Sequence, residues 1–251
     1  ALRKNSIALK NNSYLGIGDP LLSEKESFTR GLEIVGYDNK LNYSEFIKAL
    51  PRLPNTGEEI RDIASNFDPP PSSTLLLGSE ATEANFNALD LSRYSVISFA
   101  THGLLRGQIP GLLESALVMT PGYLGGGGDG LLTASEIARL ELEAEIIILS
   151  ACNTNLDRGT GVDNLSGLAS AFLVAGAQSL LVTHWEVETN VSAFISTSVV
   201  DRYREFPENG LSNALASTID LVREVPQWSH PAFWAPFSVI ADRVTRQVGP
   251  N

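Results

Sequence analysis

Short apolar runs, each about the length of a strand, recur along the chain and alternate with polar or helically spaced segments. They are YLGI (Tyr14 to Ile17), TLLLG (Thr74 to Gly78), YSVISFAT (Tyr94 to Thr101), SALVM (Ser115 to Met119), AEIIILSA (Ala144 to Ala151) and QSLLVTHW (Gln178 to Trp185). Between them, TGEEIRDIASNF opens with Thr56 three positions before Glu59, and TASEIARL opens with Thr133 three before Glu136. Both match the capping box, in which a hydroxyl and a carboxylate satisfy orphan N–H groups at a helix start. Residues 165 to 175, 189 to 204 and 211 to 224 also have helical spacing. Runs that are apolar on both faces and alternate with helices predict an α/β sandwich, with a mainly parallel central sheet flanked by helices on both faces. The right-handedness of crossovers prunes the topologies without supplying a strand order.

Residues 18 to 31 with 36 to 44 are polar and irregular, and PGYLGGGGDG (Pro121 to Gly130) is glycine-rich; both read as loops. No Gly-Lys-Ser/Thr follows the glycines, so a flexible hairpin or lid is expected there rather than a phosphate loop. With 251 residues, 43% of them hydrophobic, the chain can bury a full core. One domain over 1–251 is expected, with approximate lobes at 1–92 and 93–251. No apolar run reaches the roughly 18 residues a membrane span needs, and the opening ALRKNSIALKNN lacks the features of a signal peptide. A soluble cytoplasmic protein is the expectation. The start at Ala1 without Met suggests a domain cut from a longer chain.

The net charge of −11 with dispersed basic residues is the wrong footprint for direct nucleic-acid binding. The single cysteine, Cys152, has no disulfide partner within the chain, which suits a reducing compartment and leaves a thiol to explain. Reacting groups of open α/β sheets gather beyond the carboxyl ends of the strands. His102 follows YSVISFAT and Cys152 ends AEIIILSA, 50 positions later. If those strands are parallel neighbours, both side chains emerge on one edge. A thiol is mostly protonated at pH 7, so a nearby imidazole is needed to favour the thiolate and later to protonate a leaving amine. The backbone N–H groups of Gly103 and Cys152 are natural oxyanion donors. Taken singly, a cysteine after an apolar strand is usually a small core residue and a lone histidine a satisfied polar group; it is the pairing at equivalent strand ends that points to chemistry.

At these residues the sequence resembles a known family. FATHG around His102, LSACNT around Cys152 and GLASAFLVAGAQSLLVTHWEV downstream resemble the CHAT peptidases, caspase and separase relatives found fused to tetratricopeptide repeats. YLGIGDP, LPNTGEEIRDIA, GSEATEANF, DGLLTASEIARLEL and HPAFWAPFSVIAD echo further family segments in order, from Tyr14 to Asp242. A histidine about 50 residues before the cysteine also matches the caspase group. The resemblance implies a caspase-like fold and a cysteine endopeptidase with His102 as base and Cys152 as nucleophile, without a third catalytic residue or a cofactor. It implies a protein substrate and control by a repeat or sensor region outside this chain. The alternative is a catalytically silent or auto-inhibited module serving as a protein-binding scaffold.

One departure bears on specificity. Relatives often carry Trp-x-Val-Asp-Asp, where this chain has Trp185, Glu186, Val187, Glu188 and Thr189. In relatives that cut after Arg or Lys, an acidic residue here lines the pocket for that side chain, so Glu188 and Glu186 are candidates. Asp129, Asp157 and Asp163 on flanking loops are further ones. Equally, the glutamates can simply start a helix, where the dipole favours negative charge. His184 and His230 read as structural, and Trp185, Trp228 and Trp234 as core or cleft walls.

Overall fold

The computed structural model describes residues 12–23, 43–67, 73–109, 111–124, 127–150, 165–185 and 187–241. Six strands make the central sheet, in the order β2 (Ser73–Gly78), β1 (Tyr14–Pro20), β3 (Val96–Ala100), β7 (Ile146–Leu149), β8 (Ser179–Thr183), β9 (Phe237–Ile240). All neighbours are parallel except β8 and β9. The strand run predicted at Ser115 to Met119 leaves this sheet: β5 (Ala116–Val118) lies between β4 (Gly103–Leu104) and β6 (Leu131–Thr133) in a small antiparallel sheet.

Both faces of the main sheet are buried, so side chains alternate between two cores. Ile97, Phe99, Ile147, Leu149, Leu180 and Val182 face one core. There α3 (Glu83–Asn87), α4 (Ala134–Ile137) and α5 (Leu165–Val174) contribute Phe86, Ile137 and Phe172. Phe99 meets Phe86 edge-on at 5.6 Å and Phe172 at 5.4 Å. Tyr14, Val96, Ile146, Ile148 and Leu181 face the other core, with α2 (Pro54–Ala64), α6 (Thr189–Glu205) and α7 (Leu211–Glu224). This is the caspase-like sandwich that the sequence led us to expect.

Helix α2 lies tightly on β1, and two glycines make the approach possible. A Cβ on Gly16 would sit 2.4 Å from Ile60 Cγ2, and one on Gly18 would sit 2.9 Å from Ile60 Cγ1. The predicted capping box at Thr56 does not form. The helix starts earlier, at Pro54, where a proline is pre-set for the first turn, and its N-cap Leu53 makes no side-chain bond. The Thr56 hydroxyl donates to the Leu53 carbonyl at 2.7 Å and accepts from the Asp19 N–H at 2.8 Å, tying α2 to the end of β1. At Thr133 both halves of the box are present: the hydroxyl accepts from Glu136 N–H at 3.3 Å, and Glu136 Oε2 accepts from Thr133 N–H at 2.8 Å.

Two expected loops carry more structure than their composition suggested. Gly18 to Pro20 extend β1, and α1 (Tyr43–Ala49) begins inside the second polar stretch; residues 24–42 lie outside the described residues. In PGYLGGGGDG, the turn is closed by Gly122 N–H on the Gly128 carbonyl at 3.1 Å and by Gly130 N–H on Glu83 Oε1 at 2.7 Å. Gly128 and Gly130 have φ of +104° and +88°, and a Cβ on either would strike Glu83 or Pro121. Burial holds the Glu83 carboxyl above its ordinary pKa, against the opposing Gly130 hydrogen bond.

Candidate functional site

The chain runs from β1 to β2 on one side of the sheet and then from β1's other neighbour, β3, towards β9. The winding therefore reverses between β1 and β3, and crevices beyond the carboxyl ends of strands at such a reversal are where α/β proteins bind and react. His102 stands there, two residues past β3. Its position is pinned from both sides: the Thr101 hydroxyl donates to the Val118 carbonyl, and Val118 N–H donates to the His102 carbonyl at 2.8 Å.

The ring is buried, 3% exposed, and its Nε2 lies 2.7 Å from the Pro51 carbonyl oxygen. A carbonyl can only accept, so Nε2 carries the proton and Nδ1 presents its lone pair. Burial lowers the pKa below 6.5, opposed by the Pro51 bond, so the imidazole is neutral at pH 7 and ready to accept a proton. Gly103 faces Leu117 across β4 and β5. Because His102 and Val118 are the hydrogen-bonded pair beside it, alternation directs the Gly103 N–H away from β5.

Strands β3 and β7 are parallel neighbours with Phe99 opposite Leu149, and Ser150 N–H donates to the Phe99 carbonyl at 2.9 Å. The ladder thus continues one residue beyond β7. Cys152 follows two positions later and lies outside the described residues, as do Asp157, Asp163 and Glu186.

On the other flank, a groove of about 620 Å³ is lined by Asn55 and Glu58 of α2 and by Trp185, Val187, Glu188, Thr189 and Asn190. Glu188 is the N-cap of α6, its carboxylate accepting from the N–H groups of Asn190 and Val191. It therefore starts a helix and lines a groove at once. Asp129 caps its own turn by accepting from Leu131 N–H at 3.0 Å. Its loop adjoins the β2 end through Thr120, whose hydroxyl donates to the Gly78 carbonyl at 2.7 Å, whereas Glu188 follows β8. Asp129 is therefore reached from the β2 side of β3 and Glu188 from the β8 side, and Asp129 is not among the residues lining the groove at Glu188. His184 is exposed and pairs with the Ser238 hydroxyl at 2.8 Å, while His230 caps the turn at Pro231–Phe233. Trp228 and Trp234 pack against the core, and Trp185 forms part of the groove wall.

Sequence reasoning missed four participants. The Pro51 carbonyl has no side-chain signature. Asn55 and Glu58 look like ordinary solvated positions. Glu59, 4% exposed, accepts at Oε1 from the hydroxyl of Ser150 at 2.7 Å and from those of Ser192 and Ser196, each at 3.4 Å. Its signal was available: it sits within the buried stripe of α2 with Gly57, Ile60 and Ile63. Among the described residues no group of three or more His, Cys, Asp or Glu is arranged to hold a metal, and no helix is long and apolar enough to cross a membrane.

The family model described as the CHAT domain matches residues 2–242. Tetratricopeptide repeat protein 28 of Mus musculus is 34% identical over 116 residues, covering 45% of this chain and 4% of that protein. The protein of the same name from Homo sapiens is 32% identical over 116 residues, with the same coverage. The chain thus spans a small fraction of the length of these curated relatives. A family match across nearly the whole chain, over a mainly parallel caspase-like sheet with a histidine at its reversal point, places this protein in the CHAT domain family.

Proposed function

We propose that this chain is a cysteine endopeptidase in which His102 and Cys152 act as a dyad. The observation that carries the reading is the His102 tether: Nε2 is committed to the Pro51 carbonyl, and β7, one strand over, leads within two residues of its laddered end to the thiol. His102 Nδ1 takes the thiol proton as sulfur attacks the peptide carbonyl, and the oxyanion meets the N–H groups of Gly103 and Cys152. Collapse breaks the C–N bond, the imidazolium gives its proton to the amine, and a thioester remains. Water, deprotonated by the same Nδ1, then releases the acid and regenerates the thiol.

The groove bearing Glu58 and Glu188 supports a preference for Arg or Lys before the cut, with Trp185 as an apolar wall for the side-chain stem. The name of the curated relatives supports control by a tetratricopeptide repeat region outside this chain. The near-complete burial of His102 favours a second reading, an auto-inhibited or silent module that works as a protein-binding scaffold.

A diverse peptide library treated with the chain and with Cys152→Ala, its cut sites read by mass spectrometry, tests the proposal. Cuts after Arg or Lys that vanish in the variant are expected. If neither protein cuts, while Cys152 alkylates in a His102-dependent way, the auto-inhibited reading holds. If the thiol is also unresponsive to His102, the peptidase reading fails.

A further inference from the structure

Helix α2 is linked to both halves of the proposed dyad. Three residues before its start, the Pro51 carbonyl holds His102 Nε2. Within it, Glu59 reaches across the sheet face to Ser150, the residue at which the β3–β7 ladder ends and from which the chain proceeds to Cys152. The bond is short, 2.7 Å, and two further hydroxyls, from Ser192 and Ser196 of α6, converge on the same oxygen. A carboxyl so placed is costly. The other buried side chains of that stripe, Ile60 and Ile63, are apolar and carry no such desolvation penalty. A buried carboxyl that gathers hydroxyls from two other elements is suited to fixing geometry rather than to gaining stability.

We infer that Glu59 is a positioning residue, which braces α2 against the end of β7 and so sets the distance between the His102 tether and the strand that delivers Cys152. The inference rests on the dyad reading above. It separates the hydroxyls on Glu59 by role: Ser150 belongs to the strand leading to the thiol, whereas Ser196 only helps seat α6. All three hydroxyls reach the one atom Oε1, so an amide of the same shape keeps their acceptor; burial raises the Glu59 pKa, with Ser150, Ser192 and Ser196 opposing.

The test is the rate of Cys152 alkylation by iodoacetamide at pH 7 in the full chain, alongside thermal melts of every variant. A 1 Å misplacement of a reacting group can cost about 100-fold, so Glu59→Leu is expected to slow alkylation by about 10- to 100-fold. Glu59→Gln, which keeps Oε1 as acceptor, should stay near the wild-type rate. If Glu59→Leu does not fold, the serine pair carries the test: Ser150→Ala slows alkylation several-fold more than Ser196→Ala at comparable loss of melting temperature. Equal effects of the two serine variants, or none from Ser150→Ala while His102→Ala does slow the reaction, overturn the inference. A His102→Ala variant that alkylates like wild type overturns the dyad itself, and the positioning role with it.

Discussion

Replacing Gly16 by alanine adds one methyl group where α2 presses closest on the sheet. That methyl would lie 2.4 Å from Ile60 Cγ2 and 2.9 Å from the Tyr14 ring, where ordinary contact begins at 3.4 Å. Relieving the clash by moving the helix requires a withdrawal of about 1 Å. The Glu59 to Ser150 hydrogen bond, 2.7 Å long, would open to about 3.7 Å, beyond any real hydrogen bond. Overpacking of this kind costs about 1 to 3 kcal/mol. At about 2 to 4 °C per kcal/mol for a chain of this size, the melting temperature should fall by about 2 to 12 °C. The double mutant is the sharper assay. Ile60→Val keeps the offending Cγ2 and should not rescue Gly16→Ala, whereas Ile60→Ala removes it and leaves space for the new methyl. Ile60→Ala alone should cost about 2 to 5 kcal/mol. Combined with Gly16→Ala it should be less destabilised than the sum of the singles by at least about 0.5 kcal/mol. Strict additivity, or a single mutant melting within about 1 °C of wild type, would refute the packing argument.

Three further outcomes are expected. Folded His102 has a pKa below its ordinary 6.5, so the unfolded chain binds the extra proton; this contribution to stability is complete above pH 6.5 and shrinks as pH falls through 6.5. The drop in melting temperature from pH 8 to pH 5 should therefore be larger for wild type than for His102→Gln, and an equal drop would contradict it. Glu83 is shifted the other way, its contribution present below pH 4.5 and lost as pH rises through the raised folded value, so Glu83→Gln should gain on wild type in differential scanning calorimetry as pH is raised from 4 to 8. Glu188→Ala loses a helix cap, which costs about 1 kcal/mol, whereas Glu188→Gln keeps an acceptor and removes the charge. If Glu188 selects basic side chains, both variants lose the Arg/Lys preference in peptide cleavage, but Glu188→Ala alone melts lower.

The alternating and doubly apolar runs determined by themselves that this is an α/β sandwich, because a strand buried on both faces must be apolar at every position. The capping box at Thr133 was legible because all its partners lie within four residues. So was the placement of His102 at a strand end, since a short run fixes where its strand stops. Only the tertiary structure decided the strand order and the departure of Ser115 to Met119 into a second sheet, because pairing between distant strands leaves no local pattern. It also overruled Thr56, whose hydroxyl is claimed by the Asp19 N–H of β1 before it can cap its own helix. The Pro51 carbonyl that fixes the His102 tautomer could not have been read at all, because every residue has a carbonyl and only the fold decides which one faces the ring.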